Sequence, residues 1–284
     1  MSSEATSNIP LSSRAFNLEP VDKRADVGVV CVHGFTGTPS DMRPLGEALV
    51  QAGIAAHCPL LPGHGDKPSA LKGLSWHDWA DAIHMAFVRM QRTYAHVFVT
   101  GLSMGGLITL HLAASMTAGQ ASLGGICVLA APAAINDPRV KLVRFARYVV
   151  PWHYPLGLAD FNNPAVREEL SRRVGSDVNL DDKRAQRAIV KGARIPLGAI
   201  HELMVLNATV MRELPRVTVP ALFVQGRKDR VVALDSADVL AAGSGSREKQ
   251  VVWLPNSGHV LPHQPDAPLL FERILAFIRA HTPT

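Results

Sequence analysis

Short apolar runs recur along the chain, each followed by a glycine- or proline-rich break and then by a longer segment with helical spacing. The first run is Val27-Gly28-Val29-Val30-Cys31-Val32, bounded by charge before it and glycine after it. An unbroken apolar run of this length predicts a strand buried on both faces. Beyond it Thr38 or Ser40 can cap a helix whose Met42, Leu45 and Leu49 share one face, with Gly53 as its stop. Residues 54–58 predict a second strand, and 59–65 a loop by their proline and glycine content. Ser75 with Asp78 three residues on is a capping signal, after which Trp76, Trp79, Ile83, Phe87 and Met90 follow at helical spacing. Further strands are predicted at 97–100, 126–129, 221–224 and 250–254, and a closing helix turns Leu270, Ile274, Phe277 and Ile278 inward. Strands separated by helical patterns predict an α/β fold, a mostly parallel central sheet with helices on both faces.

Between residues 133 and 220 the alternation lapses. Val149-Val150-Pro151-Trp152-His153-Tyr154-Pro155 is apolar, aromatic and proline-rich, and a charged helix (181–194) and a more apolar one (197–214) follow. A stretch this long is not a plain loop in a compact domain. The expected organisation is a core of 1–132 and 216–284 with a helical cap inserted at 133–215. Helices elsewhere already cover the sheet, so the apolar residues of the insertion need another surface. The mouth of a site at the strand ends is the nearest, which places Trp152 on a substrate pocket.

Charge changes the picture in two places. No Asp, Glu, Lys or Arg occurs between Arg92 and Asp137, but glycines, serines, threonines, His96, His111 and Pro132 interrupt the stretch. A bilayer-spanning helix needs about 20 mostly apolar residues in a row, so a buried strand, helix and strand explain it better. Net charge is +5, and residues 137–216 hold 14 Lys/Arg against 9 Asp/Glu, leaving the rest of the chain balanced. A solvated helical insertion accounts for this, with mild attraction for anionic lipid or acidic substrate as the sharper reading. No basic run interleaved with aromatics points to nucleic acid. Cys31, Cys58 and Cys127 lie in apolar strand-like runs without metal-ligand spacing and are expected as buried thiols in a reducing compartment. Residues 1–10 show no secretory signal, so the expected location is cytoplasmic.

The candidate chemistry starts at Gly101-Leu102-Ser103-Met104-Gly105-Gly106. Gly-x-Ser-x-Gly arises by chance in roughly one chain of this length in ten, from residue frequencies alone. Here a strand precedes it and an apolar helix (Leu107, Ile108, Leu110, Leu112) follows, the context of a nucleophile elbow. In sheet enzymes functional groups gather at the carboxyl ends of strands. Those ends carry His33-Gly34-Phe35, Ser103, Asp229 and His259, giving the order Ser, Asp, His. A serine hydroxyl needs an imidazole to take its proton, and the imidazole needs a carboxylate to fix its tautomer. The backbone N–H groups of Phe35 and Met104 are the candidate oxyanion donors. Asp235 or Asp238 is the rival acid and His263 the rival base. His33 has a structural part bonding the oxyanion loop and is also placed on the substrate side, and His64 is expected as a loop anchor. No cluster suggests a metal.

The runs His33-Gly34-Phe35-Thr36-Gly37, Pro62-Gly63-His64-Gly65, the Ser103 elbow and Asn256-Ser257-Gly258-His259 resemble the small bacterial carboxylesterase and monoacylglycerol lipase family of α/β-hydrolases. The resemblance implies the α/β-hydrolase fold and cofactor-free hydrolysis of carboxylic esters through an acyl-enzyme, under a small cap. It gives Ser103, Asp229 and His259 the triad roles and Phe35 and Met104 the oxyanion hole. A small-molecule ester of short to medium acyl length is the expected substrate, with neither nucleic acid nor stable membrane insertion, in a monomer or homodimer. The alternatives are the same triad used on a carbon–carbon bond, a lactone or an acyl transfer, and a ligand-binding protein of this fold without turnover.

Overall fold

The computed structural model describes residues 13–21, 25–116, 123–134, 140–163, 166–167, 170 and 178–283. Its centre is a seven-stranded sheet built from β1 (Phe16–Leu18), β2 (Val27–Val32), β3 (Ala55–Cys58), β4 (His96–Leu102), β5 (Leu123–Leu129), β8 (Ala221–Gly226) and β9 (Lys249–Leu254). The strand order is β1-β3-β2-β4-β5-β8-β9, and only β1 runs antiparallel to its neighbour. The edge strand β1 has no counterpart in the sequence reading. Three residues, of which Phe16 alone is buried, are too few to show an alternating pattern.

The continuous apolar runs are explained by burial on both faces. Val29 and Cys31 of β2 pack with α1 (Arg43–Gln51) and α8 (Ala267–Ala280) on one side. Val30 and Val32 pack with α2 (Trp76–Gln91), α3 (Met104–Ser115) and α7 (Ser236–Gly243) on the other. Capping boxes of Thr38 with Asp41 and of Ser75 with Asp78 start the helical turn that leads into α1 and helix α2 itself, the Ser75 amide donating to Asp78 Oδ2 at 2.7 Å. Gly53, at φ +82°, ends α1. Helix α3 is buried nearly all round, which accounts for the charge-free stretch. All three cysteines are buried and free, and burial pushes the Cys31 thiol up to about 12.

The insertion lies between β5 and β8. Its described parts are α4 (Val140–Ala146), the antiparallel pair β6 (Trp152–His153) and β7 (Ile195–Pro196), α5 (Lys183–Gly192) and α6 (Leu197–Glu213). Its apolar residues divide into two groups. Leu206 and Val210 of α6 are buried in the same cluster as α2 and α3, whereas Tyr148, Val149 and Val150 are exposed. Polar side chains tie α6 down. Asn207 Nδ2 donates to the Pro132 carbonyl at 2.7 Å, Glu202 accepts from the Trp76 amide at 3.3 Å, and Glu213 lies 2.7 Å from His111 Nδ1. Helix α6 therefore completes the cover of α3, a task the sequence reading gave to helices outside 133–215. No helix among the described residues is long and apolar enough to cross a membrane. Residues 1–10, where no secretory signal is expected, lie outside the described residues.

If α6 belongs to the core, Leu206→Ala is expected to cost about 2–5 kcal/mol, the range for an emptied core leucine site. Leu158→Ala, at a fully exposed position, should stay within about 0.5 kcal/mol. Denaturant unfolding of both variants measures this, and equal small losses would mean that α6 rides loosely on the sheet.

Candidate active site

The turn from β4 to α3 holds Ser103 at φ 57°, ψ −118°, a conformation that L-residues rarely adopt. The reason is crowding. A Cβ on Gly101 would collide with the Gly105 carbonyl, and one on Gly105 with the carbonyl of Val32. On Gly106 it would stand 2.8 Å from the Ala131 Cβ. These glycines let helix and strand backbones touch, and the chain must then turn within a single residue. The turn is fixed by the Ser103 amide donating to the Leu129 carbonyl at 2.7 Å and the Gly106 amide donating to the Ser103 carbonyl at 2.9 Å. Thr36 (φ 58°) and Ala130 (φ 46°) are also left-handed, so all three such non-glycine residues among those described stand just past the adjacent strands β2, β4 and β5. Strain of this kind gathers where surrounding structure dictates a functional geometry.

Loops after β8 and β9 bring two more side chains to the same edge. His259 Nε2 lies 3.0 Å from Ser103 Oγ, and His259 Nδ1 lies 2.8 Å from Asp229 Oδ2. The imidazole side chain is 16% exposed and the carboxylate not at all. Burial alone would raise the Asp229 carboxyl, but its hydrogen bonds hold it below the usual carboxylate range. The amides of Val231 and Val232 donate to Oδ1 at 2.8 and 3.2 Å. Gln225 Nε2 donates to Oδ2 at 2.9 Å, beside the histidine. With an ionised carboxylate at Nδ1, the proton sits on that nitrogen and Nε2 is left to accept from the serine. Asp235 and Asp238 lie instead at the start of α7, and exposed His263 Nε2 donates to the Ser40 carbonyl at 3.1 Å.

The loop after β2 supplies the facing wall. A Cβ built on Gly34 would stand 3.4 Å from the Ser103 Cβ, so this loop runs against the serine. The N–H groups of Phe35 and Met104 have no protein acceptor among the described residues, and Met104 opens α3, where the helix dipole favours negative charge. The expectation that His33 faces substrate is corrected. It is fully buried, with Nε2 accepting from the Leu61 amide at 3.1 Å and Nδ1 donating to the Gly34 carbonyl at 3.0 Å. Burial first, then the neighbouring His64, push its pKa down to about 3, so the ring is neutral and ties the Gly34 loop to the Leu61 loop. His64 donates to the Pro62 carbonyl at 3.0 Å, and its ring meets those of His33, Phe35 and Trp79 edge-on. The Phe35 side chain is thereby held between His64 and Trp79. Trp152 is half-buried, its ring flanked by Arg194 at 4.2 Å and Lys72 at 5.8 Å. No three His, Cys, Asp or Glu among the described residues are placed to hold a metal ion.

Such an arrangement can move a proton from a hydroxyl to an imidazole while two fixed amides receive negative charge. Sequence reasoning missed Gln225, because a glutamine inside an apolar strand run looks like one more strand residue. Its place four residues before a candidate acid is the only signal available.

A family model described as serine aminopeptidase, S33, matches residues 23–266. The chain is 32% identical over 255 residues to a thermostable monoacylglycerol lipase of Bacillus sp. (strain H-257), covering 90% of this chain and 91% of that one. It is 23% identical over 257 residues to a carboxylesterase of Bacillus subtilis (strain 168), covering 90% and 94%. Among solved structures, a metagenome-derived lipolytic enzyme of the LipS and LipT pair superposes with a TM-score of 0.76 at 28% identity, over 96% of this chain and 100% of the other. A soluble variant of monoglyceride lipase from Saccharomyces cerevisiae gives 0.70 at 17% identity, over 95% and 92%, and shares the fold.

Gln225→Leu keeps a similar volume and removes one donor from the buried Asp229 carboxylate. Removal of one hydrogen bond to a buried charge is worth about 1.5–3 kcal/mol, so kcat should fall about 10- to 100-fold with KM nearly constant. Steady-state kinetics decides, and a change confined to KM would show that Gln225 does not act through the carboxylate.

Proposed function

We propose that this chain, which belongs to the serine aminopeptidase S33 family, hydrolyses carboxylic esters through an acyl-enzyme on Ser103. Ser103 Oγ attacks the ester carbonyl carbon as His259 Nε2 takes its proton, and the carbonyl oxygen, now negative, is received by the Phe35 and Met104 amides. Collapse breaks the acyl–oxygen bond, and the imidazolium returns the proton to the departing alcohol. Water, deprotonated by His259, then attacks the acyl-enzyme, and the acid leaves with Ser103 restored. Asp229 stays ionised throughout, holding the imidazole tautomer and stabilising its charged form. The observation that carries this reading is the continuous Ser103–His259–Asp229 chain of 3.0 and 2.8 Å beside two amides that meet no acceptor among the described residues.

The substrate class rests on the relatives named as a monoacylglycerol lipase and a carboxylesterase. We assign short to medium acyl esters, extending to monoacylglycerols. The insertion 133–215 acts as the cap that bounds the acyl pocket, with Trp152 at its wall, where each buried methylene gains about 0.8 kcal/mol. No cofactor takes part, and the three buried thiols suit a reducing cytoplasm. A second reading follows from the family's own description, which names an aminopeptidase. In it the same residues act on an amide bond.

A fluorophosphonate should add once, at Ser103, and Ser103→Ala should abolish both labelling and turnover with the fold retained. Asp229→Asn is expected to lose about 10⁴ in kcat by favouring the wrong imidazole tautomer, as in a serine protease. A panel of acyl esters of rising chain length, a monoacylglycerol and an aminoacyl anilide separates the readings. Turnover of the anilide alone would overturn the ester assignment, and labelling at another residue would overturn the mechanism. Trp152→Ala should shift the chain-length profile while acetate ester turnover holds. A flat response would move the pocket away from Trp152.

A further inference from the structure

The loop after β3 and the insertion after β5 both leave the sheet at its carboxyl edge, where Ser103 stands. They meet again where β7 touches the helical turn Pro68–Leu71 of that loop. Two cations stand at this junction. Lys72 directly follows the turn, and Arg194 directly precedes β7. Both lie over one ring, with Lys72 Nζ 5.8 Å and the Arg194 guanidinium 4.2 Å from the Trp152 centroid. Backbone pairing fixes part of this arrangement. Trp152 faces Pro196 across the antiparallel pair, and the Leu197 amide donates to the Pro151 carbonyl at 3.0 Å. Residues two apart along a strand share a face, which makes Arg194 the diagonal neighbour of Trp152.

A cation–π contact uses charge rather than hydrogen bonds, so the N–H donors of both groups stay available. Among the described residues neither side chain pairs with a carboxylate. Lys72 is exposed, and Arg194 and Trp152 are half-buried, so all three can be reached from solvent. The charge around them is one-sided. Loop 59–75 carries Lys67 and Lys72 against Asp66 alone, and Glu202 and Glu213 of α6 are taken up by the Trp76 amide and His111. The insertion 137–216 also holds the whole charge excess of the chain.

We propose that Lys72 and Arg194 recognise a carboxylate at the far end of the acyl chain, so that the preferred substrates are monoesters of dicarboxylic acids. The proposal rests on the ester-hydrolysis reading and on its assignment of Trp152 to the acyl pocket. The alkyl part of the acid lies along the Trp152 ring, and the terminal carboxylate takes the free donors of the two cations. A purely apolar wall acts the other way, because it leaves a charged chain end without a partner. The sign of the preference therefore separates the two.

Steady-state kinetics on ethyl esters tests it, with neutral acids and dicarboxylic monoesters matched in length along a rising series. At one length the acidic ester should exceed its neutral match in kcat/KM by about tenfold or more, the worth of one hydrogen bond to a charged group. The preference should shrink with added salt, because Lys72 is exposed. Lys72→Met with Arg194→Gln should abolish it, and Lys72→Glu with Arg194→Glu should reverse it in favour of the neutral ester. Arg194→Lys, which keeps the charge, should retain more of it than Arg194→Gln. A merely structural role for these side chains would move both esters of a pair alike. Calorimetric binding of the same pairs to Ser103→Ala repeats the comparison without turnover, so failure of the hydrolytic reading and failure of this one are seen separately. Neutral esters favoured at every length, or a preference that both double variants leave unchanged, overturns the proposal. So does a preference for an anion on the alcohol side alone, seen with a lysophosphatidate against the monoacylglycerol of the same chain.

Discussion

The contact between the backbones of β4, α3 and β2 is the constraint from which the rest of the site follows. Gly101 and Gly105 lie so close to neighbouring carbonyls that no side chain fits on either. Helix α3 must therefore leave the sheet at once, and the one residue between strand and helix takes up a left-handed conformation. That residue is Ser103. Its hydroxyl is lifted above the strand ends because the chain has no other route, and the first helical amide arrives beside it by the same turn. Strain at Ser103 is tolerable because α3 is anchored on all sides, by the sheet, by α2 and by α6.

The other site residues depend on that placement in different ways. His259 reaches the serine from a loop after β9 and is held from behind by a carboxylate with four donors, two of them backbone amides. Such a carboxylate cannot swing or take a proton at neutral pH without leaving a donor unpaired. The Phe35 loop is held by a neutral, buried His33 that joins two loops, and by the edge-on packing of His64 and Trp79. Both walls of the site are thus fixed before any substrate arrives, as electrostatic preorganisation requires.

The sheet was legible because its inner strands are buried on both sides and so appear as unbroken apolar runs. The two capping boxes gave helix starts, and Gly53 gave a stop. Ser103, Asp229 and His259 could be singled out because each stands just past such a run, and the structure brings the three into one hydrogen-bonded chain. Less was legible where a residue's signal is shared by two environments. Gln225 sits inside an apolar strand and shows no mark of pairing with a carboxylate. His33 is polar and next to the oxyanion loop, which fits substrate contact as well as burial, and only its two backbone bonds settle the matter. Helix α6 carries the mixed pattern of a segment packed on a core from outside, and with the sheet read as covered by helices outside 133–215, nothing marked its Leu206 and Val210 as core residues. Strand β1 is too short for any periodicity.

The most direct test of the account is a crystal structure of the chain inhibited by an alkylphosphonate, whose tetrahedral phosphorus mimics the species formed when Ser103 attacks. The account predicts phosphorus bonded to Ser103 Oγ, with its negative oxygen about 2.7–3.1 Å from the Phe35 and Met104 amide nitrogens and the Ser103 backbone still left-handed. An oxygen pointing away from both amides, or a serine relaxed into an ordinary conformation, would contradict it.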